Sequence, residues 1–92
     1  MLLKKATEFN PSLSKAHMDL GTVYAKNGNF NEALLEFNKA LEINPQIADT
    51  HYNLAVLYEF LNQTANAKKE FIIAYQLEPD NKLFRDRVFG YR

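Results

Sequence analysis

The chain has 92 residues, which is the size of one small domain, and 47% of them are hydrophobic, so we expect a globular fold with a modest core. Eleven Lys and Arg residues balance eleven Asp and Glu residues, which excludes an overall basic footprint for nucleic acid or an anionic membrane. Cysteine is absent, which excludes disulfide bonds, thiolate metal sites and a thiol nucleophile.

The strongest pattern in the sequence is an internal repeat of 34 residues. Residues 14–47 and 48–81 are identical at eight aligned positions, where chance would give about two. The identical pairs are His17/His51, Leu20/Leu54, Tyr24/Tyr58, Ala33/Ala67, Glu36/Glu70, Phe37/Phe71, Ala40/Ala74 and Pro45/Pro79. Residues 1–13 align with the end of the first repeat, and residues 82–92 align with the beginning of the second. The pattern predicts one domain, in which two whole repeats are flanked by the end of a preceding repeat and by the start of a following repeat or a capping helix.

Each repeat is predicted to contain two helices. Residues of the first helix recur at the three- and four-residue spacing of one helical face: Ala16, Leu20, Val23, Tyr24 and Asn27. Gly28 can adopt the left-handed conformation that ends this helix, and Asn62 takes its place in the second repeat. Pro45 and Pro79 cannot continue the helices that precede them. The predicted helices span residues 2–9, 14–27, 30–43, 48–61, 64–77 and 82–90.

Small side chains are expected to set how closely the helices pack. Gly21 and Ala33 are predicted to face each other within the first repeat, and Ala55 and Ala67 within the second. An alanine near the end of each second helix is predicted to lie at the contact with the next repeat. These alanines are Ala40 and Ala74.

These residues and their spacing resemble the tetratricopeptide repeat (TPR). The matching positions are Leu20, Gly21, Tyr24, Gly28, Ala33, Phe37, Ala40 and Pro45 in the first repeat, and Leu54, Ala55, Tyr58, Ala67, Phe71, Ala74 and Pro79 in the second. His17 and His51 stand where the family often has Trp, and Thr64 replaces the aromatic residue that Phe30 provides, which we expect to loosen the packing without changing the fold. The resemblance implies an all-α fold, an α-solenoid of antiparallel helical hairpins wound into a right-handed superhelix. It also implies a non-catalytic concave surface that binds an extended peptide or a partner helix.

The two histidines occupy equivalent positions in the two repeats, which leaves two interpretations. A shared metal site would need further ligands that converge on His17 and His51, and equivalent residues of stacked repeats lie roughly 8–10 Å apart. We therefore predict that both are packing residues. Glu36 and Glu70 look like a carboxylate pair for acid–base chemistry, but we expect them on the solvated outer face of the second helices. Catalytic and nucleotide-binding motifs are missing, so the sequence predicts neither an enzyme nor a bound cofactor or metal.

The resemblance implies that the candidate binding groove is lined by the first helix of each repeat. Mapped onto this sequence, the groove comprises Lys15, Met18, Asp19, Thr22, Lys26, Asp49, Tyr52, Asn53, Val56, Glu59, Phe60 and Arg87. Tyr52, Val56 and Phe60 recur at intervals of four and form one stripe, which is suited to anchoring the apolar side chains of a partner. The alternative is that Phe60 only packs under the next repeat.

One subset of the family clamps a C-terminal carboxylate with Lys, Asn and Arg residues drawn from three repeats. Asn53 and Arg87 match that pattern. Met18, Thr22 and Leu83 stand where the pattern has Lys or Asn. The sequence therefore argues against this tail-binding activity.

The C-terminal segment 82–92 mixes four basic residues with aromatic ones. Such a mixture suits single-stranded nucleic acid, but Phe84 and Val88 continue the core spacing, so we predict a covering half-repeat and no nucleic-acid partner. A second possible function is self-association, in which the half-repeats of two chains join head to tail into a homo-oligomer or a swapped dimer. The residues predicted at that contact are Leu3, Ala6, Phe9, Phe84, Val88 and Phe89.

Two functions therefore remain open: a module that binds a protein or peptide partner, and a self-assembling unit. No apolar run approaches the roughly 18 residues of a membrane-spanning helix, and residues 1–5 lack the order of a signal peptide. We expect a cytoplasmic protein without a membrane span. The chain starts inside a predicted second helix, which suits a cut from a longer repeat protein, and the sequence leaves open whether Met1 is instead a natural start.

Overall fold

The chain folds into helices joined by short turns. A computed structural model describes residues 11–90. In this part of the chain the helices are α1 (Pro11–Lys26), α2 (Phe30–Ile43), α3 (Ala48–Phe60), α4 (Thr64–Leu77) and α5 (Lys82–Phe89). Strands are absent from the described range, which confirms the all-α prediction, whereas the handedness of the superhelix stays a prediction. The predicted helix 2–9 lies outside the described residues.

The helix bounds agree with the prediction to within one residue, except at the start of α1. The chain is already helical at Pro11, the first described residue, three residues before the predicted start. None of the helices between residues 11 and 90 is long and apolar enough to cross a membrane.

The turns inside the two helical hairpins close in the same way, although they use different residues. Gly28 has a φ of 81° and Asn62 a φ of 60°, so both adopt the left-handed conformation. In each turn the N–H of the next residue then reaches back to a carbonyl in the last turn of the helix. These bonds run from Asn29 to Tyr24 at 2.9 Å and from Gln63 to Tyr58 at 2.8 Å. The prediction that Asn62 replaces a turn glycine is confirmed.

The chain divides into two compact units, the first ending at Gln46 and the second beginning at Ile47. Unit 1 contains α1 and α2, which pack together as a helical hairpin. Unit 2 contains α3 and α4, which form a second hairpin, and α5, which packs on α4. That the whole chain is a single domain stays a prediction.

In unit 1, a glycine on α1 lets α2 approach closely. A Cβ atom built at Gly21 would lie 2.8 Å from atoms of the Phe37 ring, so this ring occupies the space that any other residue would need. Ser14 is fully buried and donates its hydroxyl hydrogen to the Ala40 carbonyl at 2.9 Å. The same carbonyl also accepts the backbone N–H of Asn44 at 2.9 Å, so the Ser14 hydroxyl provides its second hydrogen bond and joins α1 to the end of α2.

The buried face of α1 differs from the predicted one. Its buried residues are Ser14, Met18 and Gly21, whereas Leu20 and Val23 are 41% and 53% exposed. The prediction was wrong for α1, whereas the aligned residues of α3, Leu54 and Leu57, are buried. The contact of α1 with α2 uses Gly21, against the Phe37 ring, and Ser14, bonded to the Ala40 carbonyl.

Unit 2 contains two apolar clusters that share Tyr52. One cluster comprises Ala48, Ala74 and Phe84, and the other comprises Ala55, Ala67 and Phe71. The Tyr52 ring centroid lies 5.3 Å from that of Phe84 and 5.6 Å from that of Phe71. Phe84 of α5 is therefore part of the same core as the α3/α4 hairpin.

Replacing Ala74 with Leu should destabilise unit 2. Ala74 is fully buried in contact with Ala48 and Phe84, so the larger side chain forces neighbouring atoms to move and costs about 1–3 kcal/mol. Urea unfolding followed by circular dichroism measures this cost. Ile72→Leu, at an exposed position of the same helix, is the matched control and should leave the urea concentration at half-unfolding unchanged. The same urea concentration at half-unfolding for Ala74→Leu and the wild type would contradict the close packing.

Candidate functional site

On α1, the predicted groove residues divide between exposed and buried side chains. Lys15 and Asp19 are exposed and form an ion pair one helical turn apart, with 3.2 Å between Nζ and Oδ2. Such surface pairs contribute little to stability, so a partner can replace the contact at small cost. Met18 is buried, and Thr22 donates its hydroxyl hydrogen to the Met18 carbonyl at 3.1 Å. Lys26 is exposed in the last turn of α1. Three of the five predicted groove residues of α1 therefore lie on the surface: Lys15, Asp19 and Lys26.

On α3, the predicted stripe of Tyr52, Val56 and Phe60 is only partly a surface feature. Tyr52 is half-buried between the Phe71 and Phe84 rings. Val56 is half-buried and packs on the cluster around Phe71. Aromatic contacts of this kind add roughly 0.5–1.5 kcal/mol beyond the burial of area, so Tyr52 contributes to the core. Phe60, at the C-terminal end of α3, is 69% exposed.

Two further predicted groove residues, Glu59 and Arg87, bind each other. The guanidinium of Arg87 forms an ion pair and a hydrogen bond with the Glu59 carboxylate, which joins α5 to α3. The Cζ atom of Arg87 also lies 4.4 Å from the centroid of the Phe71 ring, in a cation–π contact. Both charged groups are half-buried, so water and salt screen the pair less than they screen a surface pair. Arg87 therefore connects α5 to the hairpin, a role that the sequence analysis did not predict.

A cavity of about 410 Å³ lies at the end of unit 2 that carries Phe60. It is lined by Glu59, Thr64, Ala67 and Lys68. Ala67 is buried and gives the cavity an apolar wall, and Glu59 is the residue before Phe60 in α3. No sequence pattern indicates this cavity, because it depends on how the start of α4 lies beside the end of α3. Nearer the start of α3, Asp49 is exposed and Asn53 is half-buried.

Each unit contains a histidine–glutamate hydrogen bond across its hairpin. His17 Nδ1 lies 2.7 Å from Glu36 Oε1 in unit 1, and His51 Nδ1 lies 2.7 Å from Glu70 Oε1 in unit 2. In unit 1, Lys39 Nζ also lies 3.4 Å from the second carboxylate oxygen of Glu36. The hydrogen bond from His17, aided by Lys39 and opposed by burial, lowers the pKa of Glu36 below its ordinary value.

This pairing corrects the predicted position of the two glutamates. Glu36 is buried and Glu70 is half-buried, whereas both were expected on a solvated face. The signal for the pair is present in the sequence, since His and Glu recur together in both repeats at a separation of 19 residues. Across residues 11–90, no three His, Asp or Glu side chains are grouped in a way that could hold a metal ion.

The residues predicted for self-association have different environments. Phe84 is buried in its own unit, and Val88 is half-buried against the Phe71 cluster. Phe89 is 64% exposed, and its ring meets the Tyr75 ring edge-on with 5.2 Å between centroids. The other three predicted residues lie outside the described part of the chain. They are Leu3, Ala6 and Phe9.

Protein-family models match the chain over most of its length. A model described as TPR repeat matches residues 21–62. Two models described as tetratricopeptide repeat match residues 2–35 and 48–81. The comparison with curated proteins gave no match.

Removing the guanidinium of Arg87 should destabilise α5 more than the rest of unit 2. Arg87→Met keeps the aliphatic part of the side chain but removes the ion pair with Glu59 and the cation–π contact with Phe71, a loss of about 1–3 kcal/mol. Amide hydrogen exchange should accelerate in α5 first. Arg85→Met, at an exposed position of the same helix, is the control. Equal exchange in the two variants would show that the Arg87 contacts do not hold α5.

Proposed function

Because the chain belongs to the tetratricopeptide repeat family, whose members are generally non-catalytic protein–protein interaction modules, we propose that it binds a peptide or helix of another protein. The observation that carries the proposal is the exposure of Phe60. A large aromatic ring in water at the end of a packed helix is costly to solvate and gains free energy when a partner covers it. Exposed aromatic residues beside a cavity are typical anchors of protein interfaces.

The proposed contact is the Phe60 surface, which we define as Phe60 together with the residues lining the adjacent cavity: Glu59, Thr64, Ala67 and Lys68. Its apolar parts are the ring and the buried alanine. The charge of Glu59 is balanced by Arg87, whereas Lys68 is exposed on α4. This arrangement favours a partner that inserts an apolar side chain and brings a carboxylate near the Lys68 ammonium group.

The remaining predicted groove residues take other roles in this proposal. Tyr52 and Val56 support the surface from within the core and do not act as anchors. Further polar residues exposed or half-exposed on the first helices are candidates for contacts around the anchors. They are Lys15, Asp19 and Lys26 in unit 1 and Asp49 and Asn53 in unit 2.

Changing Phe60 to Ser should weaken partner binding without unfolding the protein. Peptides are first selected from a random display library with the wild-type chain, and their affinities for the variants are then measured by fluorescence anisotropy. Loss of an aromatic anchor should reduce affinity roughly fivefold or more, while the melting temperature stays close to that of the wild type because the ring is mostly in water.

Leu35→Ser is the matched control, because Leu35 is another exposed apolar residue and lies in unit 1. Selected peptides should bind this variant as well as they bind the wild type. Equal affinities for Phe60→Ser and Leu35→Ser would contradict the proposed surface. Failure to select any binding peptide would count against peptide recognition itself.

A second candidate function is self-association, which the exposure of Phe89 favours. This ring meets the Tyr75 ring in a T-shaped contact, and Leu83 on the same helix is also exposed. Covering both side chains with a second copy of the chain would remove apolar surface from water. The contact would be heterologous, joining the C-terminal helix of one chain to a different surface of the next.

Light scattering after size exclusion tests self-association. At about 100 µM protein, an associating chain should elute above the monomer mass because assembly follows mass action. Phe89→Glu places a charge in the contact and should restore the 10.6 kDa monomer. A wild-type chain that is strictly monomeric at this concentration would exclude this function.

A further inference from the structure

The turn of the first hairpin contains a residue pair that the turn of the second hairpin lacks. Asn27 is followed by Gly28, and it is the only asparagine of the chain that a glycine follows. At the aligned positions of the second turn, Leu61 is followed by Asn62, and Gln63 comes next. The two turns share a left-handed residue. Only the first turn places a side-chain amide directly before a residue without a side chain.

This pair is open to water and has room to move. Asn27 and Gly28 are both exposed, and a Cβ atom built at Gly28 would meet no neighbouring atom of the described chain within 4 Å. Because Gly28 has no side chain, its backbone moves freely and does not hinder a group that approaches its nitrogen. That nitrogen and the side-chain carbon Cγ of Asn27 are separated along the chain by the spacing that closes a five-membered ring.

Attack of the Gly28 nitrogen on the Asn27 side chain is a balanced reaction that needs only water. The nitrogen gives its proton to hydroxide or water, a bond forms between this nitrogen and Cγ, and the bond from Cγ to the amide nitrogen breaks. The amide nitrogen takes up a proton and leaves as ammonia. Water then adds to one of the two carbonyls of the cyclic imide and opens the ring. The product is either aspartate or a β-aspartyl residue, in which the backbone runs through Cγ.

In the folded chain, the end of α1 restrains the attacking nitrogen. The Gly28 N–H donates to the Ala25 carbonyl at 3.1 Å. The following N–H, that of Asn29, donates to the Tyr24 carbonyl at 2.9 Å. The bond from Gly28 must break before its nitrogen can lose the proton and turn towards Cγ. Segments with few buried contacts and exposed backbone hydrogen bonds open at low free energy, so the rate of the reaction follows the fraction of time for which this turn is open.

We propose that Asn27 is a site of spontaneous deamidation, controlled by opening of the turn at Gly28, and that the modification loosens the first hairpin and spares the second. Both products disturb the end of α1. Aspartate places a negative charge at the carboxyl end of the helix, where the helix dipole is already negative. A β-aspartyl residue adds one carbon to the backbone before Gly28, which displaces the Asn29 N–H from the Tyr24 carbonyl that it binds.

Peptide mapping by mass spectrometry, after incubation of the full chain in a mildly alkaline buffer, measures how fast each asparagine is lost. Loss of Asn27 should be roughly tenfold faster than loss of Asn62, which corresponds to about 1.4 kcal/mol in the activation barrier. Gly28→Asn gives the first turn the left-handed residue of the second and should slow the loss of Asn27 by a similar factor. The double variant Leu61→Asn/Asn62→Gly moves the reactive pair to the second turn and should make that turn react.

Two further measurements test the control by the turn and the effect on the hairpin. Unfolding in urea releases the Gly28 nitrogen, so the wild-type chain should lose Asn27 faster there than when folded. Hydrogen exchange of the incubated chain should show lower protection in α1 and α2 and unchanged protection in α3 and α4. Asn27→Leu, which introduces the aligned residue of the second turn, is the control and should keep its protection through the incubation. The proposal is overturned if Asn27 reacts no faster than Asn62, if urea does not accelerate its loss, or if the modified chain protects α1 and α2 as well as the fresh chain does.

Discussion

The close approach of the two helices in each hairpin is the constraint on which the rest of the structure depends. In unit 1 this approach exists because Gly21 has no Cβ, so the Phe37 ring fills the space beside the α1 backbone. In unit 2, Ala55 takes the position of Gly21 and Phe71 that of Phe37, and both pack with Ala67. With the helix axes this close, a histidine on one helix reaches a glutamate on the other, and each hairpin acquires a polar contact beside its apolar one.

The same packing decides which residues remain for recognition. Once α5 lies against the second hairpin, Tyr52 is enclosed by the Phe71 and Phe84 rings, and Arg87 is held by Glu59. Residues that carry the right chemistry for binding are thus already used to hold the unit together. Of the large apolar residues that stay exposed on unit 2, Phe60 and Phe89 end their helices, whereas Ile72 lies within α4. The proposed Phe60 surface therefore uses a residue that the core does not enclose.

The sequence was sufficient to predict the helices, their turns and the family, because each of these is encoded by local residues that recur with a fixed period. Asn62 in the left-handed turn is one example, since its conformation depends only on its own helix end. The orientation of α1 could not be predicted, because Leu20 and Val23 have the same spacing as Leu54 and Leu57 of α3, and only the latter pair is buried. Local patterns record which residues are apolar, but not which of them a neighbouring helix has room for.

The candidate site was harder to predict for a related reason. The pairing of Glu59 with Arg87 depends on where α5 lies, and the exposure of Phe60 depends on what packs against the end of α3. No spacing within α3 records either of them. The histidine–glutamate contacts were within reach of the sequence, because both partners recur in both repeats. Neither residue type indicates the contact by itself, and the signal is the separation of 19 residues between a histidine and a glutamate that recurs in both repeats.

The buried hydroxyl of Ser14 makes the two hairpins unequal when their first helices are exchanged. Its partner is a backbone carbonyl, at Ala40, which every second helix offers whatever its sequence. The donor, by contrast, is present in only one first helix, since Ala48 holds the aligned position in the other. A chimera that joins α1 to α4 would carry its donor with it and find an equivalent carbonyl at Ala74. The reciprocal chimera, α3 joined to α2, would bury the Ala40 carbonyl opposite a methyl group. Exchange of helices between the two hairpins is therefore asymmetric by a single hydrogen bond, since the backbone bonds from Asn44 and Glu78 to the two carbonyls are common to both.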